Sequence, residues 1–361
     1  MAEKEKVSRR TYAKYATGAV VAVAAGAIGY YAGTTTVPPA SPTPGAVTTV
    51  TTTATQTVTA PVEKPTPEFT FYLVTHAPPT AFFGIQKKGW DEACAAVNVK
   101  GVYTGSKVDG DVTEQLSLLE AAIAAEPDGI ACVIGAPETM DEPLRRAIKM
   151  GIPVVDDNVI DPRPPDKRIP YLVYIGENSY ESGHLQAEVF LKIFGKAPKR
   201  ACFINHAPMV YCMVLRWEGF KDALTAAGCK TIDNFATVYD PVKTSEDVRA
   251  YLTAHPDCEY MGSGFIEVSC FAADVIKELG LEGKTLVSAI DITDHGLQYI
   301  LDGKITNTID QQPYLQGFYC ALELWHYKKY KLIPRDIYTG PYSVTKENAA
   351  EIMELAAKGY R

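Results

Sequence analysis

Two stretches of the chain, VTHAPPTAFFGIQKKGWDEA at residues 74–93 and INHAPMVYCMVLRWEGFKDA at residues 204–223, align without a gap. Both contain the tripeptide His-Ala-Pro, and both place a glycine and an aromatic residue thirteen positions after that histidine, beginning at Gly89 and Gly219. In each copy an apolar strand precedes the tripeptide, and apolar residues with helical spacing follow it. A shared motif at a shared offset predicts an internal duplication, and therefore two similar lobes.

The segments around these copies alternate between strand and helix. From Phe69 the apolar runs FTFYLVTH, KGVYTG, DGIACVIG and IPVVDD are separated by helical patterns, and after YLVYIG the alternation restarts with RACFINH. Strands that are apolar throughout and separated by helices are typical of a parallel sheet covered on both faces. The predicted fold class is therefore α/β, with two doubly wound parallel-sheet lobes that face each other across a cleft.

Composition narrows the class of protein. The 361 residues are enough for two domains and further segments, and 47% hydrophobic with 22% charged residues is typical of a globular protein. A formal net charge of −8 argues against a nucleic-acid partner, because nucleic acids select basic surfaces. The eight cysteines contain no CxxC pair, which argues against a zinc site. Cys202 and Cys229 begin successive predicted strands and are the candidate pair for a disulfide in an exported chain.

The N-terminal segment, residues 1–33, resembles a twin-arginine export signal. Arg9 and Arg10 precede a weakly apolar run from about Tyr15 to Gly33. The run approaches the ~20 apolar residues that span a bilayer, so a retained membrane anchor or an ordinary membrane helix is the alternative. We expect the chain to leave the cytoplasm, at the cell surface or in a periplasm, tethered by this segment to the cytoplasmic membrane.

Residues 34–67 are dominated by threonine and proline. This segment, TTTVPPASPTPGAVTTVTTTATQTVTAPVEKPTP, lacks the apolar bulk that a hydrophobic core requires. It is therefore predicted to be an extended stalk that holds the globular body away from a surface.

Ligands of doubly wound sheets bind beyond the carboxyl ends of the strands. The residues that follow the predicted strands mix aromatic rings, carboxylates, amides and one arginine. They are His76 to Phe83, Asp156 to Asn158, His206, Arg216, Tyr239, Asp240, Phe265, Glu267, Asp291, and Asp310 to Gln312. That mixture suits a small, neutral ligand that is rich in hydroxyl groups.

With these residues in place, the chain from Phe69 onward resembles the ribose/galactose-type periplasmic sugar-binding proteins, the type I substrate-binding proteins of ABC importers. The motifs that carry the resemblance are PTAFF after the first strand, RWEGF at a helix start, TVYDP, VSAIDITD and TIDQQPYLQG. The resemblance implies that an aromatic pair and several polar side chains bind a sugar. It assigns these roles to Phe82, Phe83, Asp157 or Asn158, Arg216, Tyr239, Asp291 and Gln311, and it places Gln312 as a brace of the hinge.

The chain departs from the family pattern in the segment GSGFIEVSC. Phe265 and Ile266 stand where the family usually has Asn-Asp, so one hydroxyl partner is missing. Phe265 is still expected in the cleft, and Glu267 is the candidate replacement for the missing partner. Gly135 likewise replaces a family asparagine in the first lobe.

The resemblance also implies a mechanism. Lobe 1 is expected at residues 68–175 and 313–338, and lobe 2 at 176–312 and 339–361. Three crossings near YIGEN, DQQP and DIYTGPYSVTK would form the hinge. A monosaccharide or related polyol would bridge the lobes, close them, and be delivered by a monomeric receptor to a membrane permease of the ABC type, without a cofactor.

Other functions fit the residues less well. His76 and His206 occupy equivalent positions, but no helix-based ligand spacing supports a metal there, so no metal site is predicted. The chain lacks a nucleophile elbow and a P-loop, and no two carboxylates have a recognisable glycosidase spacing, so no catalytic residues and no enzyme activity are predicted.

A sugar-responsive repressor would carry a DNA-binding segment at the N-terminus, where this chain has the export signal. A receptor for a nucleoside or small signalling molecule is the remaining alternative, and Phe265 favours it slightly through aromatic stacking.

Overall fold

Two six-stranded sheets organise the part of the chain that the structure describes. The structure is a computed structural model, and it describes residues 66–333 and 335–361. The predicted signal at 1–33 and all but the last two residues of the predicted stalk lie outside the described residues. None of the helices within those described residues is long and apolar enough to cross a membrane.

The first sheet is parallel throughout, with the strand order β11-β5-β4-β3-β1-β2. Its strands are β1 (Thr70–Thr75), β2 (Lys100–Gly105), β3 (Gly129–Val133), β4 (Val154–Asn158), β5 (Tyr174–Gly176) and β11 (Ile337–Tyr338).

The second sheet repeats this order as β12-β10-β9-β8-β6-β7, and only its edge strand β12 runs antiparallel. Its strands are β6 (Arg200–Asn205), β7 (Thr231–Ala236), β8 (Cys258–Ser263), β9 (Leu286–Ile290), β10 (Asn307–Asp310) and β12 (Tyr342–Thr345).

Helices cover both sheets. In the first sheet's lobe, lobe 1, they are α1 (Ala81–Ala96), α2 (Val112–Ala124), α3 (Pro137–Lys149) and α9 (Pro313–Tyr330). In lobe 2 they are α4 (Ser179–Phe194), α5 (Tyr211–Ala226), α6 (Pro241–Ala254), α7 (Ile266–Glu278), α8 (Asp294–Leu301) and α10 (Ala349–Ala357). The matching strand orders confirm the predicted fold class of two doubly wound lobes.

Each lobe contains one pair of helices that cross with their backbones in contact. In lobe 2, a Cβ added to Gly219 of α5 would lie 2.0 Å from the carbonyl oxygen of Tyr180, and one added to Gly183 of α4 would lie 1.8 Å from that of Arg216. In lobe 1, Gly89 of α1 and Gly317 of α9 make the same reciprocal contact. The glycine shared by the two sequence copies is therefore a packing requirement, because no side chain fits at these crossings.

The chain passes between the lobes at three places. It leaves β5 through Glu177 and Asn178 to enter α4, and it leaves β10 through Gln311 and Gln312 to enter α9. The third passage, residues 339–341, joins β11 to β12. The helices that follow the first two passages are the ones that make the glycine crossings.

Hydrogen bonds tie the passages to one another. The Gln312 side chain donates to the backbone carbonyl of Thr339, and the Thr339 hydroxyl donates to the carbonyl of Gln311 at 2.8 Å. The Thr339 amide donates to the carbonyl of Gly176 at 2.9 Å. Gln312 also accepts a hydrogen bond from Arg361 at 2.8 Å. The side chain of Gln312 therefore makes the contacts that its predicted bracing role requires.

The expected Cys202–Cys229 disulfide is wrong, since both residues are free thiols in the structure. The register between β6 and β7 pairs Cys202 with Asp233, so Cys229 lies four residues away along the strand direction. At ~3.3 Å per residue this offset is too long for a disulfide, which needs Cα atoms within about 7 Å.

The glycine crossing makes a stability prediction. Gly219→Ala should lower the free energy of unfolding by about 1–3 kcal/mol, because the new methyl group forces two packed helices apart. Gly135→Ala is the matched control, since no atom lies within 4 Å of the added Cβ. Denaturant unfolding of both variants measures the difference. Equal stability of the two would contradict the backbone contact.

Candidate functional site

Lobe 1 presents an aromatic group where β1 ends and α1 begins. The rings of Phe82 and Phe83 meet edge to face with centroids 5.1 Å apart, and the ring of His76 lies 5.2 Å from that of Phe83. Both phenylalanines are half-buried. They therefore retain an accessible apolar face at the carboxyl end of the sheet, as predicted from PTAFF.

Lobe 2 presents a second aromatic group at the equivalent strand ends. Tyr239 and Phe265 have ring centroids 5.3 Å apart, and His206 lies 5.9 Å from Phe265 and 6.3 Å from Tyr239. Tyr239 is 58% exposed, whereas Phe265 is half-buried. The structure thus places the predicted Tyr239 and Phe265 together, beside the histidine of the second sequence copy.

Arg216 is held by a buried ion pair with Glu177. The Nε atom of Arg216 donates to a Glu177 carboxylate oxygen at 2.8 Å, and Nη1 donates to the carbonyl of Gly264 at 2.9 Å. The hydroxyls of Ser179 and Ser182 donate to the same carboxylate at 2.9 and 2.8 Å. Burial alone would lower the pKa of Arg216, but the charge of Glu177 and its neighbours raises it above its ordinary value, so the guanidinium stays charged.

Asp291 follows β9 and is bound by the first of the two hinge glutamines. The side chain of Gln311 donates to its carboxylate at 2.5 Å. Removal from water raises the pKa of Asp291 to about 6; the nearby charge of Arg216 opposes this rise, and that of Glu177 adds to it. Asp291 and Gln311 are therefore paired, and Arg216 lies near enough for its charge to act on Asp291; all three are predicted site residues.

At the end of β4 the two predicted alternatives differ in exposure. Asp157 is fully buried and accepts a hydrogen bond from Gln86 at 2.8 Å, while the Cys320 thiol lies 3.5 Å from its other oxygen. Asn158 is half-buried, and its amide donates to Gln316 at 3.0 Å. Of the two, Asn158 has the accessible side chain, and Asp157 belongs to the supporting network beneath it.

Four of the seven described non-glycine residues with a left-handed backbone conformation lie at this end of the lobes. Ala81, Asn158, Asp291 and Gln312 have positive φ angles of 43°, 62°, 74° and 58°. Non-glycine residues adopt this region at an energetic cost and cluster at ligand-binding sites. Asn158 and Asp291 also occupy similar places, since Asn158 is the last residue of β4 and Asp291 directly follows the corresponding strand β9.

The two repeated histidines are neutral rings with unused hydrogen-bonding capacity. Burial, followed by the charge of Arg216, lowers the pKa of His206 to about 4; burial also lowers the pKa of His76, against an opposing effect of Asp109. Within the described segments, the Nδ1 atoms of His76 and His206 have no hydrogen-bond partner. Both of these nitrogen atoms are buried from solvent.

Sequence reasoning missed Glu177, which is the direct partner of Arg216. The sequence places Glu177 in the hinge segment YIGEN, and a buried arginine that requires a counter-ion was the signal that could have found it. Glu267 is the candidate replacement for the missing partner of a ligand hydroxyl. In the structure its carboxylate is paired with Thr293 and His295. Gln86 and Arg216, which match in the two copies, are both buried and both support a carboxylate.

Comparison with known proteins identifies the family. A family model described as "Periplasmic binding protein domain" matches residues 71–331. The chain belongs to the periplasmic binding protein family. Among individual relatives, this periplasmic binding protein is similar to the xylose/arabinose-binding protein XylF of Sulfolobus acidocaldarius, with 29% identity over 294 residues that cover 78% of this chain and 72% of the relative.

Solved structures show the same fold. A periplasmic ribose ABC transporter from Conexibacter woesei superimposes with a TM-score of 0.73 at 18% identity, covering 82% of this chain and 98% of that one. A carbohydrate transporter from Acidothermus cellulolyticus, in complex with myo-inositol, has a TM-score of 0.69 at 24% identity, covering 82% and 100%.

Membership of this family confirms the predicted resemblance. It also confirms that the chain is a binding protein rather than an enzyme, and it implies a location outside the cytoplasm.

The buried ion pair makes the next prediction. Glu177→Gln leaves the Arg216 charge without its counter-ion and should cost about 3–5 kcal/mol of stability. Glu278→Gln removes an exposed partner of Arg249 and should cost at most about 1 kcal/mol. Denaturant unfolding of the two variants tests the contrast. Similar losses would mean that the Glu177–Arg216 pair is not buried.

Asp157 makes a prediction about pH. Burial raises the pKa of Asp157 to about 7, so the folded protein keeps this proton at pH values where the unfolded chain, with an aspartate pKa of about 3.9, has lost it. The contribution of Asp157 to stability must therefore fall as pH rises from about 4 to 7. Relative to Asp157→Asn, the wild type should melt progressively lower across this range. A constant difference in melting temperature between pH 4.5 and 7.5 would contradict the assignment.

Proposed function

We propose that this chain is the substrate-binding protein of an ABC importer, and that it captures a monosaccharide or related polyol by closing its two lobes. The observation that carries the proposal is the pair of aromatic groups at equivalent strand ends, next to a polar group built from Arg216, Asp291 and Gln311. A sugar has apolar C–H faces and a rim of hydroxyls, so it needs both kinds of contact at once.

The polar group has the donors and acceptors that hydroxyls require. The guanidinium of Arg216 only donates, the carboxylate of Asp291 accepts, and the amide of Gln311 does both. Hydrogen bonds to charged groups contribute roughly 1.5–3 kcal/mol each, so Arg216 and Asp291 dominate the expected affinity. Asn158 in lobe 1, whose side chain is half-buried, adds a further partner.

Closure follows from the division of contacts between the lobes. Phe82, Phe83 and Asn158 lie in lobe 1, whereas Arg216, Tyr239, Phe265 and Asp291 lie in lobe 2. A ligand that contacts both sets completes its interactions only when the lobes are closed, and it therefore shifts the population towards that state. The moving bodies are residues 68–175 with 313–338, and residues 176–312 with 339–361. Asp157 supports Asn158 from below and is a positioning residue.

The closed receptor, a monomer, then docks on a membrane permease. The Thr/Pro segment 34–67 acts as a stalk. Residues 1–33 are a twin-arginine signal that is retained as a membrane anchor, and this anchor keeps the receptor near the permease. Such tethering raises the effective concentration of the receptor at the membrane.

The names of the relatives narrow the ligand class. The relative from Sulfolobus acidocaldarius is named as a binder of xylose and arabinose, which are pentoses, and the Acidothermus structure contains the polyol myo-inositol. A small cyclic polyol fits the pair of aromatic groups and the few charged partners proposed for this chain. Pentoses are therefore the first ligands to test.

A thermal-shift screen of the purified protein with pentoses, hexoses, sugar alcohols and nucleosides tests the function. A sugar at a hundred times its dissociation constant should stabilise the protein by about 2.7 kcal/mol, which raises the melting temperature. Asp291→Ala should weaken binding at least tenfold, because it removes a charged acceptor. Asp257→Ala is the control, since Asp257 is an exposed carboxylate that pairs with Arg200 before β8 begins.

The outcome separates the two candidate functions. A rise in melting temperature with nucleosides alone would favour a nucleoside receptor, in which a nucleobase stacks on Tyr239 and Phe265. An equal loss of sugar binding in Asp291→Ala and Asp257→Ala would contradict the proposed role of Asp291.

A further inference from the structure

Three side chains with metal-binding atoms meet at the carboxyl end of the lobe 2 sheet. A carboxylate oxygen of Glu267, the thiol sulfur of Cys270 and a ring nitrogen of His295 all lie within 4.8 Å of one another. Glu267 and Cys270 are three residues apart on α7, so they share one face of that helix. His295 is the second residue of α8. We refer to these three residues as the Glu-Cys-His cluster.

The cluster is closed below and open above. Cys270 has no exposed surface, the Glu267 side chain is mostly buried, and the His295 side chain is 51% exposed. The Nδ1 atom of His295 lies 2.8 Å from one carboxylate oxygen of Glu267. An ion that enters from the histidine side therefore meets nitrogen and oxygen first, and sulfur at the bottom.

Neighbouring residues hold the ligands in place. The hydroxyl of Thr293 donates to the other carboxylate oxygen of Glu267 at 2.5 Å. The ring of Tyr299 packs edge to face on His295 with centroids 4.6 Å apart, and its hydroxyl donates to Asp274 at 2.9 Å. Partners of this kind orient metal ligands and are a normal part of built metal sites.

We propose that Glu267, Cys270 and His295 bind a zinc-class divalent ion. Thiolate, imidazole and carboxylate together suit Zn²⁺, whereas Mg²⁺ and Ca²⁺ select oxygen ligands alone. Three protein ligands leave the fourth tetrahedral position open to water or another small ligand. Ligand atoms on one zinc ion lie roughly 3.3–3.6 Å apart, so the cluster needs adjustments of about 1 Å.

Charge supports a cation at this position. The buried Cys270 thiol lies near the carboxylates of Glu267 and Asp274, so a divalent cation would have negative groups beside it. Zinc binding releases the thiol proton to solvent and forms the S–Zn bond, and the divalent charge offsets the negative charge of thiolate and carboxylate together. Without an ion, the Glu267–His295 pair is an ordinary contact between two helix N-termini, and the tests must distinguish the two cases.

A bound ion would connect α7 to α8. The loop before α8 begins with Asp291, which is a proposed sugar-binding residue. The ion would therefore restrain the loop that carries it. The Glu-Cys-His cluster itself is independent of the identity of the sugar, and its tests need no sugar.

Cobalt is the probe that reports on the thiolate. The full-length protein is freed of metal with a chelator and titrated with Co²⁺. We expect a thiolate-to-cobalt charge-transfer band together with the strong visible bands of tetrahedral Co²⁺, at one ion per chain, and Zn²⁺ should displace both. Cys270→Ser should abolish the charge-transfer band, whereas Cys258→Ser, which alters another buried thiol of lobe 2, should retain it.

Zinc affinity tests the remaining ligands by competition with Co²⁺. His295→Ala should weaken Zn²⁺ binding by roughly 100-fold or more, and Thr293→Val by roughly 10–100-fold, the range known for residues that orient ligands. His255→Ala is the control for loss of a lobe 2 histidine. Circular dichroism of each metal-free variant establishes that it is folded.

Two results would overturn the proposal. One is the absence of a charge-transfer band at excess Co²⁺ in the folded wild type. Glu267 and His295 would then form an ion pair without a metal. The other is a band that persists in Cys270→Ser, which would place the metal elsewhere.

Discussion

The close contact of two helix backbones in each lobe determines where everything else lies. Gly219 and Gly183 allow α5 and α4 to touch, and Gly89 and Gly317 do the same for α1 and α9. Because α4 and α9 each begin directly after a passage between the lobes, these contacts fix the points at which the chain enters each lobe. They also fix Arg216 and Gln86, which stand three residues, about one helical turn, before the contact glycines.

From that arrangement follows an asymmetry of charge between the lobes. The equivalent residues Gln86 and Arg216 each support a buried carboxylate, but only Arg216 brings a full positive charge to the hinge. Both lobes present an aromatic group, but lobe 1 adds an amide, whereas lobe 2 adds charged partners. The proposed sugar would therefore meet apolar contact from both lobes and its strongest directional hydrogen bonds from lobe 2.

The duplication and the fold could be predicted because they depend on local patterns. The His-Ala-Pro copies, the apolar strands and the helical spacing all lie in short segments, and the strand orders of the two sheets agree with them. The places of the aromatic residues at the strand ends could be predicted too, since Phe82 and Phe83 lie in the first turn of the helix after β1 and Tyr239 follows β7 by a short loop; their role in binding stays a prediction.

Pairings between distant residues could not be predicted in the same way. Glu177 and Arg216 meet only because of the α4–α5 crossing, and Asp157 is covered by side chains from α1 and α9. The Cys202–Cys229 expectation was wrong for a related reason: adjacency of strands was inferred correctly, but register was not, and register decides whether two thiols meet. The Glu-Cys-His cluster has ligands on two helices, so no single motif reveals it.

Closure of the two lobes around a sugar is the motion proposed for this protein. Small-angle X-ray scattering during a titration with the sugar that gives the largest thermal shift measures this directly. We expect a saturable decrease in the radius of gyration, with a midpoint that matches the binding curve, and no decrease in Asp291→Ala at the same sugar concentration. An unchanged radius at saturating sugar would contradict capture by closure.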